Sequence, residues 1–307
     1  MSETTHARSY YAATANPAPA RPALQGDETC DVCVIGAGYA GLSTALHLAE
    51  RGYKVIVLES VKVGFGASGR NGGQIINGYS RDYDTIRGRY GEDTAKALLN
   101  MSFEGGDIIR ERVNQYQINC DLKRGSFFAA INDGQMKDLL RTKEVWESAG
   151  HKDIHVYAKD KIPEVVDTPL YCGGLLDMRG GHIHPLNLAL GEAAALESLG
   201  GRIFEHSRVT HIEKGAKPAA FTATGKVTAR YIVVCGNAYL GEAVPELSGK
   251  IMSVSSQIIT TEILGEELTK KMMPAGFCLE DCNFLLDYYR ITAGKRLLFG
   301  GGVCYCG

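Results

Sequence analysis

"DVCVIGAGYAGLSTALHLAERGYKVIVLES", residues 31–60, decides the reading of this chain. VCVIG is a β-branched run of the kind found in a short buried strand, and GLSTALHLAERG carries apolar residues at helical spacing and closes on Gly52. KVIVLE reads as a second buried strand, so the whole is a βαβ unit with parallel strands. At its first turn lies GAGYAG, Gly36–Gly41, which fits GxGxxG. Gly36 allows the tight turn, Gly38 lets the backbone approach a pyrophosphate, and Gly41 allows the helix to pack closely on the strand. The phosphate then meets unpaired N–H groups at the helix N-terminus. Glu59, ending the second strand, is placed to accept hydrogen bonds from an adenosine ribose.

This motif does not itself separate NAD from FAD; the next segment is more selective. GFGASGRNGGQ, residues 64–74, contains Gly64, Gly66, Gly69, Gly72 and Gly73. Such a backbone can pass close to a large ligand, while Ser68 and Asn71 offer side-chain hydrogen bonds. A simple nicotinamide dehydrogenase usually continues from the acidic residue into an ordinary loop, so a second glycine-rich stretch here favours FAD.

Working outward, residues 1–27, including ANPAPARPALQGD, show no helical or strand period and read as an extended lead-in. Beyond the glycine-rich stretch, residues 79–93 are polar. TAKALLNMSFEGGDIIRERVNQY has helical spacing interrupted at Gly105 and Gly106, CDLKRGSFFAAIN reads as a strand pair, and GQMKDLLRTKEVWESAG as a helix. From residue 182, HPLNLALGEAAALESLGG reads as a helix, RIFEHSRVTHIEKG as a strand, and ARYIVVCGNAYLG as a strand ending in a small-residue turn. Residues 251–303 are mostly strand-like, and no period of a solenoid repeat is present. The chain stops at LLFGGGVCYCG, straight after a strand-like run, which leads to the expectation of a truncated or frameshifted product.

The bulk numbers exclude several classes. With 307 residues, the length prior is roughly two domains. Apolar content of 45%, charged content of 22% and a net charge of −2 are ordinary for a globular protein and lack the basic excess of a nucleic-acid binder. No apolar run approaches the ~20 residues of a membrane span, and no secretory signal pattern opens the chain, which points to a cytoplasmic location. The nine cysteines include Cys30 and Cys33 at CxxC spacing, but on a strand residues three apart face opposite ways. Cys278 with Cys282, and Cys304 with Cys306, lack a second pair at zinc-ribbon spacing, so reduced structural thiols are expected. His182 and His184 form HIH, a possible pair of metal ligands, but no third ligand is near and hydrogen-bonded histidines at a domain junction are the favoured reading. Trp146 and Cys235 are expected to be core residues.

These motifs carry a resemblance. DVCVIGAGYAGLSTALHLAERGYKVIVLES followed by GASGRNGGQ resembles the FAD-dependent amine and amino-acid oxidases, the family that includes D-amino-acid oxidase, glycine oxidase and sarcosine oxidase. SYYAATAN, GRNGGQ, GGHIHPLNLALG, CGNAYLG and YYRITAGKRLLFGGG are similar to the members acting on gamma-glutamylated polyamines. The resemblance implies an α/β fold in which a Rossmann-like FAD-binding domain, residues 28–80 and 182–245, is interleaved with an α+β substrate domain on a mostly antiparallel sheet, residues 81–181 and 246–307. It implies that Gly36, Gly38, Tyr39, Ala40 and Gly41 line the FAD pyrophosphate and Glu59 the ribose. Ala67, Ser68, Asn71, Gly72 and Gly73 would lie under the pyrophosphate, ribityl chain and flavin edge; Val209 would meet the adenine, with Gly236 and Asn237 near the cofactor. Tyr288, Tyr289 and Arg290 are candidates for the substrate pocket, and ordinary strand packing is the competing reading for them. The family's C-terminal flavin-side segment is not found before Gly307.

The implied reaction oxidises the C–N bond of a small-molecule amine, a gamma-glutamyl polyamine, to an imine that hydrolyses to the aldehyde. Oxygen or another acceptor takes the electrons, and oxygen would give hydrogen peroxide. The flavin carries that chemistry, so no catalytic triad is needed. A glycine, sarcosine or D-amino-acid type of oxidase or dehydrogenase, and a noncatalytic nucleotide-binding remnant, are the alternatives.

Overall fold

A computed structural model describes residues 5–247 and 249–304. A short helix α1 (Tyr10–Ala13) precedes strand β1 (Gly26–Ile35), helix α2 (Tyr39–Glu50) and strand β2 (Val55–Leu58). Then come β3 (Gln74–Ile75), α3 (Tyr83–Tyr90), α4 (Glu92–Gln115), β4 (Lys123–Ala130), α5 (Asp133–Ser148), β5 (Ile154–Ala158) and β6 (Gly173–His182). The chain continues through α6 (Pro185–Ser198), β7 (Arg202–Phe204), β8 (His211–Glu213), β9 (Ala219–Phe221) and β10 (Gly225–Val234). It ends with β11 (Ser255–Thr260), α7 (Glu266–Met272), β12 (Cys278–Asp281), β13 (Tyr288–Ile291) and β14 (Leu297–Cys304).

The strands form two sheets. The first has the order β7-β2-β1-β10-β9-β8, and its centre, from β7 to β10, is parallel, as the βαβ reading requires. The apolar faces of α2 and α6 cover one side of it through Leu42, Leu46, Ala193 and Leu196 against Val32, Val34 and Val57. The second sheet runs β11-β14-β13-β12-β4-β6-β3, with β5 also on β6, and is antiparallel except where β12 meets β4. Its alternating side chains split between two layers: Phe127, Leu176 and Leu279 face one side, Phe128 and Leu175 the other, beside α4 and α5. The α/β fold class is as expected.

Several local expectations need correction. The lead-in is not uniformly extended: Ser9 caps α1 by accepting the Ala12 N–H at 3.2 Å, Tyr11 is buried, and β1 already starts at Gly26. Apolar contacts with distant segments, invisible to local periodicity, hold this helix. Gly105 and Gly106 do not interrupt α4; a Cβ at Gly106 would lie 3.4 Å from Asn77 Oδ1, so the small residue serves packing. The polar stretch 79–93 contains α3, begun by Asp82 accepting the Thr85 N–H. CDLKRGSFFAAIN holds one strand rather than two, and RIFEHSRVTHIEKG splits into β7 and β8 at opposite edges of the first sheet.

Cys30 and Cys33 do not face opposite ways. The N–H groups of Asp31 and Val32 both donate to the Lys54 carbonyl, at 2.9 and 3.2 Å, so the strand alternation slips by one residue there. Both thiols consequently pack into the same apolar cluster, yet both are free. Burial pushes the Cys30 thiol up to about 11 and raises that of Cys33 further, which keeps them protonated and inert. Trp146 is buried as expected, against Phe103 and Phe128. Cys306 and Gly307 lie outside the described residues.

Candidate functional site: a glycine-lined cradle at the strand ends

The C-terminal ends of β1 and β10 and the N-terminus of α2 converge on one cleft. Gly36, Gly38, Glu59, Ala67, Ser68, Val209, Gly236 and Asn237 line it together. Gly36 has φ +104°, and a Cβ there would lie 2.7 Å from the Cys235 carbonyl oxygen. A Cβ on Gly41 would run into the Gly36 carbonyl, so the turn and the helix can approach only as glycines. Gly38 is the N-cap and supplies no side-chain cap. Ser68 replaces it from the second glycine-rich loop, its Oγ accepting the Tyr39 N–H at 3.0 Å. Glu59, buried, accepts the Ala37 N–H at 2.8 Å through Oε2 and the Val61 N–H at 2.9 Å through Oε1, fixing its carboxylate at the turn.

The loop after β2 is braced by its own side chains. Asn71 Nδ2 donates to the Ala67 and Ser68 carbonyls at 3.1 and 2.9 Å, and its Oδ1 accepts the Gly73 N–H at 2.8 Å. Asn71 thus shapes the loop rather than lining the cleft. Gly72 lies under the Tyr288 ring, which a Cβ would meet at 2.6 Å, and Gly73 packs against the Ile183 carbonyl. The side chain of Tyr39 turns inward, its hydroxyl donating to the Pro185 carbonyl at 2.9 Å, while Ala40 is exposed.

The three β13 candidates separate. Tyr288 touches the loop at Gly72; Tyr289 faces the other layer, stacked on Phe299 and hydrogen-bonded to Tyr171 at 3.0 Å. Arg290 is buried, donating to the Gly72 carbonyl at 2.8 Å, the Ile183 carbonyl at 2.9 Å and the Tyr11 hydroxyl at 3.1 Å. Its guanidinium is a joint between sheet, loop and α1, with its hydrogen bonds made to the protein itself. His182 meets the Gly276 carbonyl through Nε2 at 3.2 Å, and His184 caps α6 by accepting the Asn187 N–H at 3.1 Å. Burial lowers the His182 pKa to about 3 and that of His184 to about 4, so both imidazoles are neutral. No cluster of metal-ligand type occurs among the described residues.

The cleft has the features of a dinucleotide cradle: side-chain-free backbone, an N-terminus without its own cap, and the Arg208 cation on its wall without an ion pair among the described residues. Residues 31–305 match the family model described as FAD dependent oxidoreductase. The chain belongs to this family. FAD is accordingly its cofactor. The chain is 54% identical to gamma-glutamylputrescine oxidoreductase of Escherichia coli across 98% of its own length and 71% of the relative's. It is 44% identical to a probable oxidoreductase of Haemophilus influenzae, over 96% and 70%. Among solved structures, glycine oxidase from Geobacillus kaustophilus shares the fold with a TM-score of 0.69 at 19% identity, covering 90% of this chain and 72% of that one. L-proline dehydrogenase from P. horikoshii does so with a TM-score of 0.71 at 16% identity, covering 91% and 71%.

Phe65, Arg208 and Tyr239 also line the cleft and were not singled out by sequence reasoning. Arg70 links two of them, donating to the Tyr239 hydroxyl at 2.6 Å with its guanidinium 5.3 Å from the Phe65 ring centre. All lie inside or beside motifs already singled out: Phe65 and Arg70 in GFGASGRNGGQ, Tyr239 in CGNAYLG, and Arg208 next to Val209.

Proposed function

We propose that this flavoprotein oxidises the C–N bond of gamma-glutamylputrescine, or of a related gamma-glutamyl polyamine, to an imine that hydrolyses to the aldehyde. Oxygen is the acceptor and hydrogen peroxide the product, and the reaction takes place in the cytoplasm. The carrying observation is the 54% identity, over nearly the whole chain, to gamma-glutamylputrescine oxidoreductase. Among the described residues no helix is long and apolar enough to cross a membrane, which accords with the proposed location.

When bound, FAD supplies the hydride-accepting ring. In this reading the α2 N-terminus, with Gly36, Gly38, Tyr39, Ala40 and Gly41, and the Arg208 cation neutralise the pyrophosphate. Glu59 takes the ribose, while Val209, Gly236 and Asn237 flank the adenine side. Ala67 to Gly73 form the floor towards the ring, and Tyr288 borders the reacting region. The segments 28–80 and 182–245 act as the FAD-binding domain, and 81–181 with 246–307 as the substrate domain; the strand membership of the two sheets supports this division except at β3, which lies within 28–80 but pairs with β6 in the second sheet. The test is turnover of gamma-glutamylputrescine against glycine, sarcosine and D-amino acids, with peroxide and oxygen uptake followed in parallel. Peroxide formed in step with gamma-glutamylputrescine is expected; faster turnover of a free amino acid would overturn the substrate assignment.

A further inference from the structure

A cavity of about 680 Å³ opens on the α4–α5 side of the second sheet and shares no lining residue with the FAD cradle. That size suits a small organic ligand. Its walls are apolar, with Leu99 from α4, Phe128 from β4, and Leu139 and Trp146 from α5. One carboxylate, Glu280 on β12, enters from the sheet.

Glu280 has no hydrogen-bond or ion-pair partner among the described residues. Asp138 at the exposed rim has no partner there either, but the other acidic neighbours do. Asp281 accepts from the Asn283 and Asp287 N–H groups at 3.0 and 3.2 Å, Asp82 caps α3, and Asp84 pairs with Arg141 at 3.1 Å. Burial first, and then the Asp281 charge, push the Glu280 pKa up to about 7. Asn77, 3% exposed, lines the same cavity; its Nδ2 donates to Asp177 at 2.7 Å, while its Oδ1 is buried with no partner. A half-buried carboxylate and a buried amide oxygen in one chamber, neither with a protein partner among the described residues, suit a ligand rich in N–H donors and positively charged. The rim carries both signs, with exposed Arg81 and Asp138 beside the Arg141–Asp84 pair, and so suits a zwitterionic group.

The position relative to the cradle is also defined. Glu280 and Tyr288 are directly opposed across β12 and β13 and share a face, and the Tyr288 ring lies on Gly72 of the cradle loop. The carboxylate is therefore one cross-strand step from the loop assigned to the flavin side.

We propose that this cavity is the substrate chamber and that Glu280 is the counter-ion of the substrate's terminal ammonium, with the zwitterionic end held at the rim. This deepens the proposed function and rests on its reading of an amine substrate. Trp146, the chain's one tryptophan, lines the chamber and provides a readout that needs no turnover. Fluorescence titration would compare gamma-glutamylputrescine with gamma-glutamylpentylamine, the same shape with a methyl group in place of the ammonium. Wild-type protein should bind the diamine derivative at least tenfold more tightly, Glu280→Gln should lose that preference, and Glu280→Asp should retain part of it. FAD content, measured in each variant, should not change. Equal preference in wild type and Glu280→Gln would overturn the proposal. If gamma-glutamylputrescine does not bind but butylammonium does, and binds tenfold more weakly to Glu280→Gln, the polyamine reading falls while the role of Glu280 stands.

Discussion

The glycine-lined cradle and the chamber at Glu280 are joined by one stretch of chain, residues 64–84, but are made of different material. In the cradle the recognising surface is backbone: glycines let N–H groups and carbonyls come close, and the side chains of Ser68, Asn71 and Glu59 mainly hold that backbone in place. In the chamber the surface is side chain, contributed by a loop, three helices and two strands, with the Glu280 carboxylate among apolar walls. A backbone site tolerates almost no added volume. A side-chain site tolerates volume better and is sensitive to charge.

The largest expected effect follows from that difference. Gly41→Ala places a methyl group against the Gly36 carbonyl and 3.3 Å from Val34 Cγ1, forcing α2 away from β1. Overpacking of this kind costs about 1–3 kcal/mol and should also abolish FAD retention, read as loss of the visible flavin band. Gly88→Ala in α3, with open space around it, is the matched control and should leave flavin content unchanged while raising the melting temperature slightly, because alanine is the better helix former. Flavin retained at wild-type level in Gly41→Ala would show that the cradle is not limited by backbone approach.

The same contrast explains what could be read from the chain. The cradle was legible because a close turn before a helix demands glycine at fixed intervals, and GAGYAG and GASGRNGGQ record that demand in contiguous letters. Glu280 was not legible: CLED carries no motif, and its meaning depends on α3, α4 and α5 arriving from elsewhere in the chain. Arg290 shows the intermediate case. The sequence makes it a substrate-pocket candidate with strand packing as the competing reading, but whether a guanidinium meets substrate or protein is a matter of distant partners, here Tyr11, Gly72 and Ile183. The slip at Asp31–Val32 likewise follows from a shared carbonyl on the neighbouring strand, which no period-2 rule contains.

Arg290→Met is the next largest effect. It leaves the Gly72 and Ile183 carbonyls without their charged donor and should cost about 2–4 kcal/mol in denaturant unfolding. An unchanged midpoint would mean that Arg290 is not the joint between sheet, loop and α1.

The chamber should reveal itself through pH. Glu280 has a pKa raised from 4.5 to about 7 in the fold, so the native state favours its neutral form. Its contribution to stability is complete below pH 4.5 and is lost as pH rises through 7. Glu280→Gln should therefore be more stable than wild type at pH 8, by about 3 kcal/mol, and equal to it near pH 4.5. His182 and His184 act in the opposite sense: with pKa values lowered to about 3 and about 4, their contribution is complete above 6.5 and lost as pH falls through that window. The acid limb should consequently survive in Glu280→Gln. A variant no more stable than wild type at pH 8 would place a cation beside the carboxylate in solution.

The smallest effect sharpens the account of the cradle itself. Ser68 Oγ accepts the Tyr39 N–H at 3.0 Å and so occupies one of the donors that the α2 N-terminus would otherwise present to a phosphate. If the hydroxyl serves as a cap that holds the loop against the helix, Ser68→Ala should lose about 1 kcal/mol of stability and bind FAD several-fold more weakly, because the floor of the cradle loosens. Ser68→Thr, which keeps the hydroxyl, should restore both. If instead the phosphate competes with Ser68 for the Tyr39 N–H, Ser68→Ala will bind FAD more tightly while still losing stability. Equilibrium dialysis with FAD, set beside the melting temperature of the flavin-free protein, separates the two, and tighter binding would remove Ser68 from the cradle's ligands and leave it as the cap of α2.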